Sequence, residues 1–159
     1  MILIMSNYKR YYFNGYSYFI TMVTQGRNPI LIENIDLLRD SFKRSKQRYS
    51  YRIDAIIILP DHIHMIITPK NAQDYSKIIS HIKRSFVYGL DKTLKEEAKL
   101  RLSSSNYNRK LSGIWQKRFY EHTIRDEKDW LDKMHYIRHN AVKHALVDSW
   151  EAWKYSSFT

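Results

Sequence analysis

Cysteine is absent from this chain of 159 residues. Disulfides, thiolate zinc sites and cysteine nucleophiles are excluded with it, a reducing compartment is permitted, and any metal must be held by histidine, carboxylate or amide groups. No apolar run approaches membrane-spanning length. The opening Met1-Ile2-Leu3-Ile4-Met5 is too short for a signal-peptide core and lacks a basic leader. The expected compartment is therefore the cytoplasm, with no membrane partner. Acidic residues are scarce, 16 against 27 Lys and Arg, which leaves a formal charge of +11. Such an excess goes beyond a solubility margin and points to a polyanion, either nucleic acid or an acidic membrane surface. Breakers are few as well, with three prolines and four glycines, so each one marks a boundary.

Aromatic residues make up 14% of the chain and thirteen of them are tyrosines, which favours nucleic acid over membrane. Cationic side chains attract phosphates without regard to sequence, and aromatic rings offer platforms for unpaired bases. The combination predicts a single-stranded partner. The length fits one domain able to bury a core, and no internal repeat is present.

Tyr16 to Thr24 is rich in aromatic and β-branched residues and is interrupted by Gly26 and Pro29, which predicts a first strand. From Glu33 to about Arg48, Ile35, Leu38, Phe42 and Ser45 recur at helical spacing with a basic outside. Arg52 to Leu59 reads as a buried strand, and Pro60-Asp61 turns the chain into a second one that ends at Thr68-Pro69. Asp74 to Gly89 is again helical, through Ile78, Ile79, Ile82, Phe86 and Val87. Between Asp91 and Gly113 the pattern dissolves into a charged insertion, read as a short helix and then a mobile loop around Ser103-Ser104-Ser105-Asn106. Trp115 to Ile124 is a further strand. Asp126 can cap a long helix whose core stripe is Trp130, Met134, Ile137, Ala141 and Ala145. The order strand, helix, strand, strand, helix, strand, helix predicts an α+β sandwich of the ferredoxin-like or split βαβ type, an antiparallel sheet covered by helices.

The segment Pro60-Asp61-His62-Ile63-His64-Met65 carries most of the chemistry. Successive strand side chains point to opposite faces, so His62 and His64 project together while Ile63 and Met65 face the core. Two imidazoles so placed can chelate one ion; an isolated His-x-His is more often a solvated polar face. On the last helix Tyr136 and Asn140 are four residues apart and share a flank. If that flank covers the histidines, the Asn140 amide completes a His, His, Asn site with Tyr136 beside it. The bland alternative is a boundary tyrosine with its ring on the sheet and its hydroxyl in water. His135 and His139 have zinc-pair spacing but lack the glutamate of a His-Glu-x-x-His protease, and read as a basic or solvated flank. Glu121 and His122 face opposite sides of a strand, so at most one reaches the site, and Asp61 is expected to shape its turn.

Pro60-Asp61-His62-Ile63-His64, the block Trp115-Gln116-Lys117-Arg118-Phe119 with Glu121-His122, and Tyr136 followed by Asn140 and Val142-Lys143-His144 resemble the single-tyrosine, histidine-hydrophobe-histidine transposases, nearest to the REP-associated tyrosine group. Arg10-Tyr11-Tyr12, Gly15 and Tyr18-Phe19-Ile20-Thr21 fit that group's first strand, so the resemblance covers nearly the whole chain in order. It implies an endonuclease and strand transferase acting on single-stranded, hairpin-forming DNA without ATP, nucleoid-associated, through a 5′-phosphotyrosine. It implies His62, His64 and Asn140 as ligands of Mg2+ or Mn2+, with Tyr136 as nucleophile. Whether the site lies within one chain or across a homodimer stays open. The chain departs from the group in having Ala141 where proline usually follows the asparagine, and in the length of its 91–112 insertion.

The expected DNA surface comprises Arg10, Tyr12, Lys43, Arg44, Lys83, Arg84, Lys117, Arg118 and Lys143. Two rival readings are a non-catalytic or domesticated nucleic-acid-binding module, and a metal-dependent nuclease in which water attacks while Tyr136 stacks on a base. A neighbouring tyrosine such as Tyr120 is the expected control for substitution at Tyr136.

Overall fold

The computed structural model describes residues 14–159, so Arg10 and Tyr12 lie outside the described residues. Four strands, β1 (Tyr18–Val23), β2 (Tyr51–Ile58), β3 (His62–Pro69) and β4 (Tyr120–Thr123), form one antiparallel sheet in the order β2-β3-β1-β4. Helix α1 (Ile35–Arg48) links β1 to β2. Helices α2 (Tyr75–Gly89), α3 (Lys92–Leu100) and α4 (Ser104–Asn108) lie between β3 and β4, and α5 (Glu127–Lys143) follows β4. This is the expected α+β, ferredoxin-like sandwich, with the histidine strand at the centre.

Strand alternation divides the core in two. Tyr18, Ile20 and Met22 of β1 join Ile63, Met65 and Ile67 of β3 on one face, covered by Leu38 and Phe42 of α1 and by Ile78, Ile79, Ile82 and Phe86 of α2. Phe19, Ile57 and Ile66 point to the other face, where Ile137 and Ala141 of α5 close over them. Because β3 alternates, the face that receives α5 is also the one that carries His62 and His64.

Three stretches differ from the sequence reading. Ser103 to Asn106 was expected as loop, yet Ser103 Oγ accepts the Asn106 amide at 3.2 Å and starts α4. The preceding α3 docks through Leu94 and Ala98 on the α1/α2 core. Gly113 makes the return possible: its φ is +76°, and a Cβ there would lie 2.6 Å from the Ala98 carbonyl oxygen. The Trp115–Ile124 strand shrinks to Tyr120–Thr123, with Trp115 making only an isolated bridge to Thr24.

Helix α5 starts as expected, with Asp126 Oδ1 accepting the Asp129 amide at 2.8 Å, but Ala145 is not on its core stripe. The helix ends at Lys143, and Ala145 is exposed at φ 55°. The Leu146 amide reaches the Ala141 carbonyl at 3.0 Å and the Ala145 amide the Val142 carbonyl at 2.9 Å, a Schellman ending with alanine where glycine is usual. Ala141, in place of the proline, is fully buried.

Beyond the helix the chain returns along the outer edge of β2. The Ile58 amide donates to the Tyr155 carbonyl and the Ser157 amide to the Ile56 carbonyl, both at 2.9 Å. Arg138 of α5 lies 4.8 Å from the Phe158 ring centroid, so the returning segment also braces the helix.

Candidate active site on the histidine strand

His62 and His64 are 4% and 5% exposed, and their rings stand nearly perpendicular with centroids 4.8 Å apart. Each Nδ1 is already engaged. The Asp61 carboxylate takes His62 Nδ1 at 2.6 Å and the Arg27 guanidinium at 2.9 Å, while Thr21 Oγ1 lies 2.7 Å from His64 Nδ1. An ionised carboxylate only accepts, so His62 Nδ1 donates to it and Nε2 is the ring nitrogen left to face a ligand. With Thr21 accepting, the same holds for His64. Outer partners of this kind fix the tautomer and ring orientation of metal-binding histidines. Asp61 therefore does more than shape a turn. Thr21 had no signal in the sequence, since only the β1/β3 register places it opposite His64.

Helix α5 brings the other groups. The Tyr136 ring lies 5.1 Å from the His64 ring, near perpendicular, and one turn later Asn140 is fully buried. Neither Asn140 Oδ1 nor Nδ2 has a hydrogen-bond partner. A buried, unsatisfied amide costs about 1–3 kcal/mol per group, and in a native fold an ordered water, an ion or a catalytic role accounts for such a group. Among the described residues no group of three or more histidine, cysteine or acidic side chains could hold a metal ion. Two imidazoles and one amide are the donors on offer, and an unpartnered Asn140 amide is compatible with such a set. The flank bearing Tyr136 and Asn140 does cover the histidine face.

Lys143 Nζ is 4.8 Å from the Tyr136 ring centroid, and the His144 ring is 5.0 Å from that of His62. Their spacing of seven and eight residues from Tyr136 put both on its face, a signal the sequence reading left unused for His144. Burial, and then the electrostatic influence of His62, His144, Lys143 and Arg27, push the His64 imidazole from its ordinary 6.5 down to about 3. It is neutral at physiological pH, the form in which an imidazole can act as a metal ligand. The same shift gives a stability prediction for the metal-free protein. Between pH 6.5 and 3 the unfolded chain holds a proton on His64 that the folded chain excludes, so stability falls as pH drops, by up to about 1.4 kcal/mol per unit. Urea midpoints measured in chelator should drop from pH 7 to pH 5 in the wild type and less steeply in His64→Gln. Parallel profiles would refute it.

The remaining histidines stand apart. His122 shares the site's face but bonds Asp129 at 2.7 Å. His135 and His139 stack on each other at 4.1 Å on α5. Tyr120 is less remote than a control should be. Its register partner is Thr21, so it projects to the histidine face, and its ring lies 6.3 Å from Phe19, which also touches Tyr136 and His64.

The basic residues divide between two sides. Lys143 is at the site, and Lys117 and Arg118 are exposed just before β4. Lys43, Arg44, Lys83 and Arg84 sit on α1 and α2, beyond the opposite face. There, Lys83, Arg84, Lys95, Lys110 and Lys117 line a groove of about 520 Å³. Arg44, Arg48, His81 and Arg84 line a second of about 810 Å³. Arg84 and Tyr88 belong to both, which makes one basic track.

A family model described as IS200-like transposase matches residues 12–140, a span that runs through His62 and His64 to end on Asn140. The chain belongs to that family. It is 32% identical over 156 residues to a REP-associated tyrosine transposase of Escherichia coli K12, covering 97% of this chain and 83% of the relative. A Haemophilus influenzae protein assigned to the same group is 40% identical over 156 residues, 97% and 86% of the two chains. The solved structure of a REP-associated tyrosine transposase bound to a REP hairpin superposes with a TM-score of 0.77 at 31% identity, over 97% of this chain and 83% of that one. Within the IS200-like family this chain is accordingly a tyrosine transposase.

Proposed function

We propose that this transposase is a metal-dependent endonuclease and strand transferase for single-stranded, hairpin-forming DNA, with Tyr136 as nucleophile and His62, His64 and Asn140 as ligands of Mg2+ or Mn2+. The observation that carries the reading is the Tyr136 ring against His64, one turn before the buried and unpartnered Asn140 amide. A relative solved with a REP hairpin supports the choice of substrate. Two nitrogens and an amide oxygen suit manganese better than magnesium, which prefers oxygen and water. A divalent ion held there would withdraw charge from the non-bridging oxygens of the scissile phosphate.

The chain's own groups do the rest. Asp61 and Thr21 hold the imidazoles, and Lys143 offers positive charge to the phosphate that meets Tyr136. The phenolic oxygen attacks phosphorus and gives up its proton, and the bond to the 3′ oxygen breaks as that oxygen takes a proton up. The product is a 5′-phosphotyrosine and a free 3′ hydroxyl. Attack on this ester by the 3′ hydroxyl of another end reverses the step, so one site both cuts and joins. Within one copy of the chain, Tyr136 lies against the same copy's His64. We place the protein in the cytoplasm at the nucleoid, as one domain in which the 91–113 segment is a charged insertion folded as two short helices. No helix among the described residues is long and apolar enough to cross a membrane.

The basic track, with Lys117, Arg118 and Lys143, is proposed as the DNA surface. Binding should favour hairpins with an unpaired flank over blunt duplex and weaken steeply with salt through counterion release. Titrations showing equal affinity for blunt duplex at every salt concentration would count against it. The chemistry is tested by incubating the protein with 5′-labelled or 3′-labelled hairpin DNA and manganese before denaturing electrophoresis. A shifted protein band should carry the 3′ label alone. Hairpin binding with no cleavage under any metal would favour a binding module; cleavage with no adduct would favour attack by water.

A further inference from the structure

We propose that Tyr120 is the stacking platform for an unpaired base beside the scissile phosphate, a role that rests on the single-stranded DNA reading above. In the sheet register His64, Thr21 and Tyr120 are successive cross-strand partners on one face. The row begins at a candidate metal ligand and ends on the edge strand β4. Beneath it lies Phe19, only 4% exposed. Its ring stacks on His64 at 5.6 Å and meets Tyr136 and Tyr120 edge-on at 5.8 and 6.3 Å. One buried ring therefore fixes the candidate nucleophile and Tyr120 relative to each other.

Tyr120 itself is 56% exposed. Exposed tyrosines are common and mean little alone; Tyr88 and Tyr107 are more exposed still. What separates Tyr120 is that its inner edge is held by Phe19 while the rest of the ring is open to solvent, at the rim of the site. Lys133 Nζ lies 5.3 Å from the Phe19 ring that holds Tyr120, and exposed Lys117 and Arg118 precede Tyr120 in the chain. A base in a duplex has both faces stacked already, so the platform is of use only to an unpaired nucleotide.

The test compares wild type, Tyr120→Ala and Tyr120→Phe on two DNAs, a hairpin with a single-stranded flank and the same hairpin without it. 2-Aminopurine is placed in the flank for a stacking readout. Tyr120→Ala should bind the flanked hairpin roughly 5- to 150-fold more weakly, the range expected for one lost base–aromatic stack. Its affinity for the hairpin without a flank should be unchanged. Tyr120→Phe should keep wild-type affinity, because the ring and not the hydroxyl stacks. 2-Aminopurine fluorescence should be quenched by wild type and Phe but not by Ala. Equal losses on both DNAs, wild-type behaviour of Tyr120→Ala, or a loss in Tyr120→Phe as large as in Ala would each overturn the assignment. A wild type that shows no preference for the flanked hairpin would instead overturn the single-stranded reading beneath it. Since Tyr120 is exposed on an edge strand, thermal melts of the variants should match wild type.

Discussion

Tyr136→Phe should abolish cleavage while leaving hairpin affinity within about twofold of wild type. The substitution deletes one oxygen. The ring that remains still meets His64 at 5.1 Å and Phe19 at 5.8 Å and still lies under Lys143, so helix packing and the DNA surface are preserved. If the phenolic oxygen is the attacking atom, nothing else can form the ester. Losing a nucleophile from a constellation that acts as a unit costs on the order of 10³–10⁶ in rate. The 3′-labelled adduct should disappear with cleavage. A Phe variant that still cuts would reduce Tyr136 to a stacking residue and hand the attack to water. The control has to be a tyrosine off the site's face, and Tyr107 on α4, 63% exposed, is one. Tyr120, one phenylalanine away from Tyr136, does not serve.

The difference between these two tyrosines shows how far a sequence can be read. Periodicity within one element was enough to put His62 and His64 on one face, Tyr136 and Asn140 on one flank, and Asp126 at a helix start. Every one of those inferences depends on spacing along a single strand or helix. What escaped depends on partners far apart in the chain. Thr21 supports His64, and Tyr120 shares its face, only because of the β3-β1-β4 register. Arg27 reaches Asp61 across a turn. The returning segment from Trp153 to Ser157 covers the edge of β2, a pairing that no local pattern in Lys154-Tyr155-Ser156 announces. Net charge signalled an anionic partner, but only the fold shows that Lys43, Arg44, Lys83 and Arg84 lie beyond the opposite face of the sheet from Lys143. Ala145 fell off the core stripe because the helix ends at Lys143 and Ala145 itself takes the left-handed conformation that closes it.

His64→Ala should separate cutting from binding in a second way, through the metal. A site with two imidazoles and one amide has few protein ligands to spare. Loss of merely an outer hydrogen-bonding partner typically costs 10- to 100-fold in metal affinity, so removing a ligand should cost at least that. Calorimetric titration of manganese into wild type should give a single site, and the heat should be lost in the variant over the same concentration range. Hairpin affinity should change little, because His64 is 5% exposed and the substitution removes none of the cations proposed to hold phosphate. The substitution also removes the acceptor or donor for Thr21 and leaves a cavity beside Phe19, so a structural effect has to be told apart from a ligand effect. Thr21→Val provides that comparison, since it deletes the same hydrogen bond and keeps both imidazoles. It should weaken manganese binding by roughly 10- to 100-fold, where His64→Ala eliminates it. If His64→Ala bound manganese as wild type does and still cleaved, the histidines would be packing residues and the metal would have to be held elsewhere. If Thr21→Val and His64→Ala were equally impaired, the hydrogen bond and not the ligand would account for the loss.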